Sequence, residues 1–159
     1  MVDLNNSVSS PGSQREQELN QALEALHFAF RAVIAKPDAI LARRGLSRVH
    51  HRILYFIGRH PGSSVNELLE ILRVSKQSLN TPLRQLMKLG LVESNADTSD
   101  RRIKRLALTP EGLCLERELS GDQRQRFARA FEIVGREGEA AWHQVMKLLA
   151  EDIFPDVMD

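Results

Sequence analysis

Residues 65–109, VNELLEILRVSKQSLNTPLRQLMKLGLVESNADTSDRRIKRLALT, limit the fold more than any other part of the chain. Leu68, Leu69, Ile71 and Leu72 give a short helix its apolar side, with Asn66 as the expected cap and Glu67 in the positive first turn. Arg73 and Val74 make a turn. Ser75 then caps a second helix in which Leu79, Leu83, Leu86 and Leu89 recur at spacings of four and three. Lys76, Gln77, Asn80, Thr81 and Arg84 fall off that stripe, so one face packs and the other meets solvent. Gly90 is placed to end the helix through a left-handed residue. Leu91 and Val92 then read as extended, and Ile103, Leu106 and Leu108 as a returning strand, with the polar loop 97–102 between them.

Two short helices, a tight turn and a hairpin describe a winged helix-turn-helix. The expected fold is therefore mainly α with a small β-hairpin wing, flanked by further helices. Between Arg73 and Arg105 lie eight basic residues against Glu93, Asp97 and Asp100, a local excess of five in a chain whose formal total is +1. The total argues weakly against a nucleic-acid partner, and the concentration of charge in one module reverses that argument.

If residues 75–89 enter a major groove, Ser75 and Ser78 can bond phosphate beside the helix N-terminus and Lys76 neutralises charge. Gln77, Asn80 and Thr81 have the chemistry for base edges, and Arg84 for guanine or backbone. Each is also ordinary polar helix surface. Asp100, two residues before Arg102, lets a carboxylate hold a guanidinium in a fixed direction at the hairpin tip, and an aimed arginine suits a narrow minor groove. Pro82 deletes one backbone hydrogen bond, so either the helix kinks there or it begins later.

Leu68-Leu69, Val74-Ser75, Leu86, Gly90-Leu91-Val92, Asp100-Arg101-Arg102 and Leu108-Thr109-Pro110-Glu111-Gly112 together resemble the signature of the multiple-antibiotic-resistance-regulator (MarR) family of bacterial transcription factors. The resemblance is closest over residues 45–112. It implies a double-stranded DNA partner, Arg102 in the minor groove with Asp100 orienting it, and Arg101 and Lys104 on phosphates. It also implies a two-fold homodimer on a pseudo-palindromic operator, and release by a small, aromatic or phenolic effector bound between the lobes.

Around this lobe, taken as residues 46–109, the remaining chain divides into an expected disordered tail (1–14), N-terminal dimerisation helices (15–45) and C-terminal dimerisation helices (110–159). The tail is rich in Ser, Asn and Gly and carries no Lys or Arg. Leu19, Leu23, Leu26, Phe30 and Val33 form a heptad-like stripe on one long helix that Pro37 is expected to stop, followed by a short helix over 38–44 closed by Gly45. Such a stripe is more than a small lobe can cover, which favours a partner helix. Ser47 caps the next helix, over 48–58. After the wing, Thr109-Pro110-Glu111 starts a helix, Ser120-Gly121-Asp122 bends it, Gly135 and Gly138 interrupt it, and a last amphipathic helix follows, ending with Ile153 and Phe154.

His51 and Tyr55 lie one turn apart where the resemblance places the wall between the lobe and the dimer helices, and they are candidates to line a small-molecule cavity. The plainer alternative is that one of His50 and His51 packs or bonds a backbone carbonyl and the other is solvated. The adjacent pair diverges by about 100° on a helix and has no ligand-type residue at i+4, so no metal site is expected. No phosphate-binding glycine loop, nucleophile elbow or zinc spacing is present, which argues against an enzyme and against a cofactor. The single cysteine, Cys114, is expected to pack as a thiol, with redox sensing as the competing use. With no long apolar run and no basic, apolar N-terminus, the chain is expected to be cytoplasmic and not membrane-bound. A winged helix that binds protein instead of DNA is the remaining competitor.

Overall fold

The computed structural model describes residues 11–151. Its elements are α1 (Pro11–Arg43), α2 (Arg48–Arg59), α3 (Val65–Leu72), α4 (Lys76–Lys88), β1 (Val92–Ala96), β2 (Lys104–Leu108) and α5 (Pro110–Ala150). The chain falls into two units, residues 1–35 and residues 36–159.

The first unit is helical throughout its described part. Helix α1 starts at Pro11, so residues 11–14 form its first turn and not the end of a disordered tail. A proline there loses no intrahelical bond, because the first N–H groups of any helix lack one. Residues 1–10 lie outside the described residues. Leu19, Leu23, Leu26 and Phe30 of the heptad-like stripe are all about half exposed or more.

In the second unit α1 runs through Pro37 and ends at Arg43, which corrects the expected stop. An interior proline costs about 3 kcal/mol. Here its ring is fully buried together with Leu41 one turn on, and burying two such apolar groups offsets that loss. Gly45, at φ +67°, then reverses the chain and returns the Leu46 N–H to the Leu41 carbonyl at 3.0 Å.

Helix α2 buries Ile53, Leu54 and Ile57, and α4 buries Leu79, Leu83 and Leu86. With Leu68 of α3, Leu91, Val92 and Leu106 at the base of the wing, and Leu115 and Leu119 of α5, they form one core of aliphatic side chains. Leu89, expected on the same stripe, caps α4 and is 52% exposed, since the helix has ended before it can turn inward. The hairpin pairs antiparallel from Val92↔Leu108 to Ala96↔Lys104. The loop before α3 adds to it: the Gly62 N–H donates to the Leu106 carbonyl and the Leu106 N–H to the Ser63 carbonyl, each at 2.9 Å, so both edges of β2 are engaged.

Helix α5 is capped by Thr109, whose Oγ1 accepts from the Gly112 N–H at 3.0 Å. It continues without interruption through Ser120-Gly121-Asp122, where a bend was expected, because Ser120 is buried and held by His51. The break comes at Gly135, at φ +73° and ψ 179°. Phe127 and Trp142 lie fifteen residues apart, a span of about 22 Å along a straight helix. Their ring centroids are 5.2 Å apart, so the chain reverses at Gly135 and Trp142 packs against Phe127 and Phe131. Ile153 and Phe154 lie outside the described residues. No described helix is long and apolar enough to cross a membrane.

Candidate nucleic-acid interface

Local capping sets the angle between α3 and α4. Ser64, not Asn66, caps α3: Ser64 Oγ accepts from the Glu67 N–H at 3.2 Å, and Glu67 Oε2 accepts from the Ser64 N–H at 2.7 Å. The Ser-x-x-Glu spacing was in the sequence to be found, and Asn66, two residues inside, lies exposed. Arg73 ends α3 in the left-handed region, at φ 53° and ψ 42°, which turns the chain sharply into Ser75. Ser75 Oγ accepts from the Ser78 N–H at 3.2 Å and lies 2.8 Å from Ser78 Oγ, so both hydroxyls sit at the positive end of α4.

Lys76, Gln77, Ser78, Thr81 and Arg84 are exposed on α4, and Asn80 is half-buried beside them. The helix starts where the sequence placed it and passes through Pro82 without leaving helical geometry. Three buried leucines flank the proline and hold its turn against the core, each contributing about 1.5–3 kcal/mol against one missing bond.

The wing tip is built by two aspartates. Asp97 Oδ2 accepts from the Ser99 and Asp100 N–H groups at 3.1 Å, and Asp97 Oδ1 from Arg105 Nε at 3.0 Å. Hydrogen bonds from the Ser99 hydroxyl and from Arg105, with those backbone donors, hold the Asp97 carboxyl well below the usual carboxylate range. Arg105 also donates from Nη1 to Glu67 Oε2 at 3.2 Å, which fastens the wing to the first turn of α3. Glu67 is likewise lowered, first by its bond from the Ser64 N–H.

Asp100 and Arg102 form a two-pronged pair, Nε to Oδ1 and Nη2 to Oδ2, both at 3.1 Å, and the Arg102 N–H donates to Oδ1 at 3.0 Å. The pair lowers the Asp100 carboxyl and raises the Arg102 guanidinium. The Arg102 side chain is 91% exposed, so its guanidinium is aimed yet uncovered. Arg101 and Lys104 are exposed on either side. Ile103, expected in the strand, sits in the tip. A cleft of about 340 Å³ separates the wing from the start of α3, with Arg102 and Arg105 on one wall and Ser64 and Glu67 on the other.

The basic candidates of α4 and of the wing tip are exposed, and the structure treats the other candidates differently. His51 is buried, with Nε2 3.0 Å from Ser120 Oγ of α5. Burial lowers its pKa against the opposing pull of Glu116 and Asp38. Tyr55 is half-buried against the edge of Phe56. Neither lines the cleft beside the wing or a second one, of about 250 Å³, on α4. Cys114 is exposed, which overturns the packed thiol: it lies on the side of α5 away from Leu115 and Leu119. No group of three or more His, Cys, Asp or Glu residues suited to a metal occurs among the described residues.

Sequence reasoning missed four contributors: Arg105 and Asp97, which fix the wing, and His50 and Gln85. His50 Nδ1 accepts from the Ser47 N–H at 3.1 Å, closing a capping box with histidine in the place of the usual glutamate, and His50 Nε2 lies 2.7 Å from Gln85 Oε1 of α4. The ring therefore ties α2 to α4.

Comparison with known proteins agrees with this geometry. A family model described as the MarR family matches residues 44–103. The helix-turn-helix-type transcriptional regulator PetP of Rhodobacter capsulatus is 42% identical over 136 residues, covering 86% of this chain and 82% of PetP. FabT of Streptococcus pneumoniae, solved in complex with DNA, superimposes with a TM-score of 0.70 at 21% identity, over 87% of this chain and 96% of FabT. NadR, solved with 4-hydroxyphenylacetate, gives a TM-score of 0.64 at 25% identity, over 79% of this chain and 89% of NadR.

Proposed function

The chain belongs to the MarR family of helix-turn-helix transcriptional regulators, which are not enzymes, and on that footing we propose that it is a repressor that binds a pseudo-palindromic operator as a homodimer in the cytoplasm. In this reading α4 enters the major groove. Ser75 and Ser78 meet phosphate at its N-terminus, Lys76 neutralises charge, Gln77, Asn80 and Thr81 face the bases, and Arg84 reaches guanine or the backbone. Arg102 enters the adjacent minor groove, held by Asp100, with Arg101 and Lys104 on the flanking backbone. The observation that carries the proposal is the Asp100–Arg102 fork at the tip of a fastened wing, because a guanidinium fixed in direction and 91% exposed has no structural use where it stands.

Exposed apolar faces support the dimer. Leu19, Leu23 and Leu26 in one unit, and Val145, Leu148 and Leu149 in the other, are each about half exposed or more. A second copy of the same chain, related by a two-fold axis, covers both and sets the half-sites roughly 10 bp apart. Release by a small aromatic acid or phenol follows as a shift in the spacing of the two recognition helices, with His51 and Tyr55 as the side chains assigned to meet it. The NadR complex supports that class of effector.

The test is fluorescence anisotropy on duplexes recovered by genomic selection, for wild type and Arg102→Ala over a salt series. Tight binding with a steep salt slope, much weakened in the variant, is expected. Equal affinity for selected and random duplex, or an unaffected variant, would replace DNA with a protein partner for this face.

A further inference from the structure

Gln85 lies one turn beyond Thr81 on α4, and with Thr81, Arg84 and Lys88 it lines a surface cleft of about 250 Å³. The direction of its amide follows from a chain of hydrogen-bond polarities. The Ser47 N–H can only donate, so His50 Nδ1 accepts, and the ring hydrogen sits on Nε2. Nε2 then donates to Gln85 Oε1 at 2.7 Å. With its oxygen held by the bond from a buried ring, Gln85 keeps both N–H groups of that amide for donation. Arg84 and Lys88 are exposed, and neither pairs with a carboxylate among the described residues.

We propose that this cleft takes a backbone phosphate of the bound DNA, and that His50 is the positioning residue that makes Gln85 a dedicated phosphate donor. The proposal rests on the DNA-binding reading above and adds a contact at the far end of the recognition helix from Ser75. The choice of phosphate over base follows from the donor set. Every base pair presents a donor in the major groove, cytosine N4–H2 or adenine N6–H2, whereas two cations and an amide N–H2 match a phosphate, which offers acceptors alone.

The experiment uses the full chain and the duplex that the wild type prefers, with single phosphates replaced in turn by methylphosphonates. At one phosphate per half-site the wild type is expected to lose about tenfold in affinity, the scale of a hydrogen bond to a charged group. Gln85→Leu is expected to bind the unmodified duplex about tenfold less tightly, and to lose nothing further at that phosphate. Gln85→Glu still accepts from His50 but turns an anionic oxygen outward, so it weakens all duplexes with base preference unchanged. His50→Phe keeps a ring and drops both bonds, and is expected to erase the same phosphate's contribution. Long-range nitrogen spectra of the free protein should show His50 hydrogenated at Nε2.

Additive losses for Gln85→Leu at every phosphate would overturn the contact. A changed preference at one base pair in Gln85→Glu would make Gln85 a base reader instead. A wild-type phosphate pattern in His50→Phe, or an Nδ1–H ring, would overturn the positioning role. Failure of the wild type to prefer any duplex would refute the DNA-binding reading and the phosphate contact with it, while the ring spectrum still decides the relay.

Discussion

Arg105 Nε donates to Asp97 Oδ1 at 3.0 Å, joining the residue that follows β1 to the second residue of β2. Asp97 also gathers the turn of the tip, and Arg105 reaches on to Glu67 of α3. One arginine thereby fixes both the shape of the wing and its bearing relative to the helix-turn-helix. Arg102 lies beyond the edge of this bracket.

Arg105→Met should therefore weaken DNA binding through the aim of Arg102, with no DNA contact of its own lost. Amide hydrogen exchange over residues 97–103 is expected to accelerate, while α4 keeps its protection. Arg105→Lys should restore little, because an ammonium cannot serve Asp97 and Glu67 from one planar fork. Unchanged exchange in the tip would remove Arg105 from this role.

The low Asp97 pKa gives the tip its own acid limit. A carboxyl whose folded value lies below its unfolded value stabilises the folded form fully above the unfolded value, and that contribution is lost as pH falls through the folded one. Carbon NMR of the carboxyl groups should show Asp97 still ionised at a pH where ordinary exposed aspartates carry a proton. In Asp97→Asn the exchange of the tip should be fast at every pH.

The His51–Ser120 bond predicts acid sensitivity elsewhere. Burial places the folded His51 value below its ordinary 6.5, so the unfolded chain takes the proton first and stability declines as pH falls from that value through the folded one. His51→Gln should flatten the fall in Tm over this range. Ser120→Ala leaves a buried ring nitrogen without its partner and should cost about 1–3 kcal/mol at neutral pH, measured by urea unfolding.

Gly112 tolerates no side chain. A Cβ there would sit 1.9 Å from the Leu91 carbonyl oxygen, which already accepts from the Thr109 N–H at 3.1 Å. Backbone meets backbone at this crossing, with no rotamer free to give way. Gly112→Ala is expected to cost about 3 kcal/mol or more in chemical denaturation, whereas Gly121→Ala, which meets nothing within 4 Å, should be neutral or stabilising.

Leu23 is 67% exposed on α1, so Leu23→Asp costs the isolated chain almost nothing. If the stripe pairs with a second copy, the same change should convert a dimer to a monomer in sedimentation experiments and reduce operator affinity far more than affinity for a half-site. A wild type that sediments as a monomer at micromolar concentration would remove the dimer reading.

The fold was legible wherever apolar period and chain punctuation agree. Leu79, Leu83 and Leu86 mark the buried face of α4, Ser75 its start and Gly90 the turn beyond it, all within a few residues of one another in the chain. Prolines misled where burial decides: Pro37 and Pro82 both look like breaks, yet Pro37 is itself fully buried and Pro82 is flanked by the buried leucines of α4. Asp100 and Arg102 could be paired from sequence because they lie two positions apart. Arg105 with Glu67, and His50 with Gln85, are thirty-eight and thirty-five residues apart, and only the register of a hairpin or the crossing of two helices brings them together.

The reversal at Gly135 has a spectroscopic consequence. It folds the only tryptophan of the chain, Trp142, against Phe127 and Phe131, far from α4 and the wing in sequence and outside the aliphatic core. Indole emission therefore reports the opening of the C-terminal hairpin alone. Unfolding followed by fluorescence and by helical circular dichroism would coincide only if the hairpin and the winged lobe melt as one cooperative body.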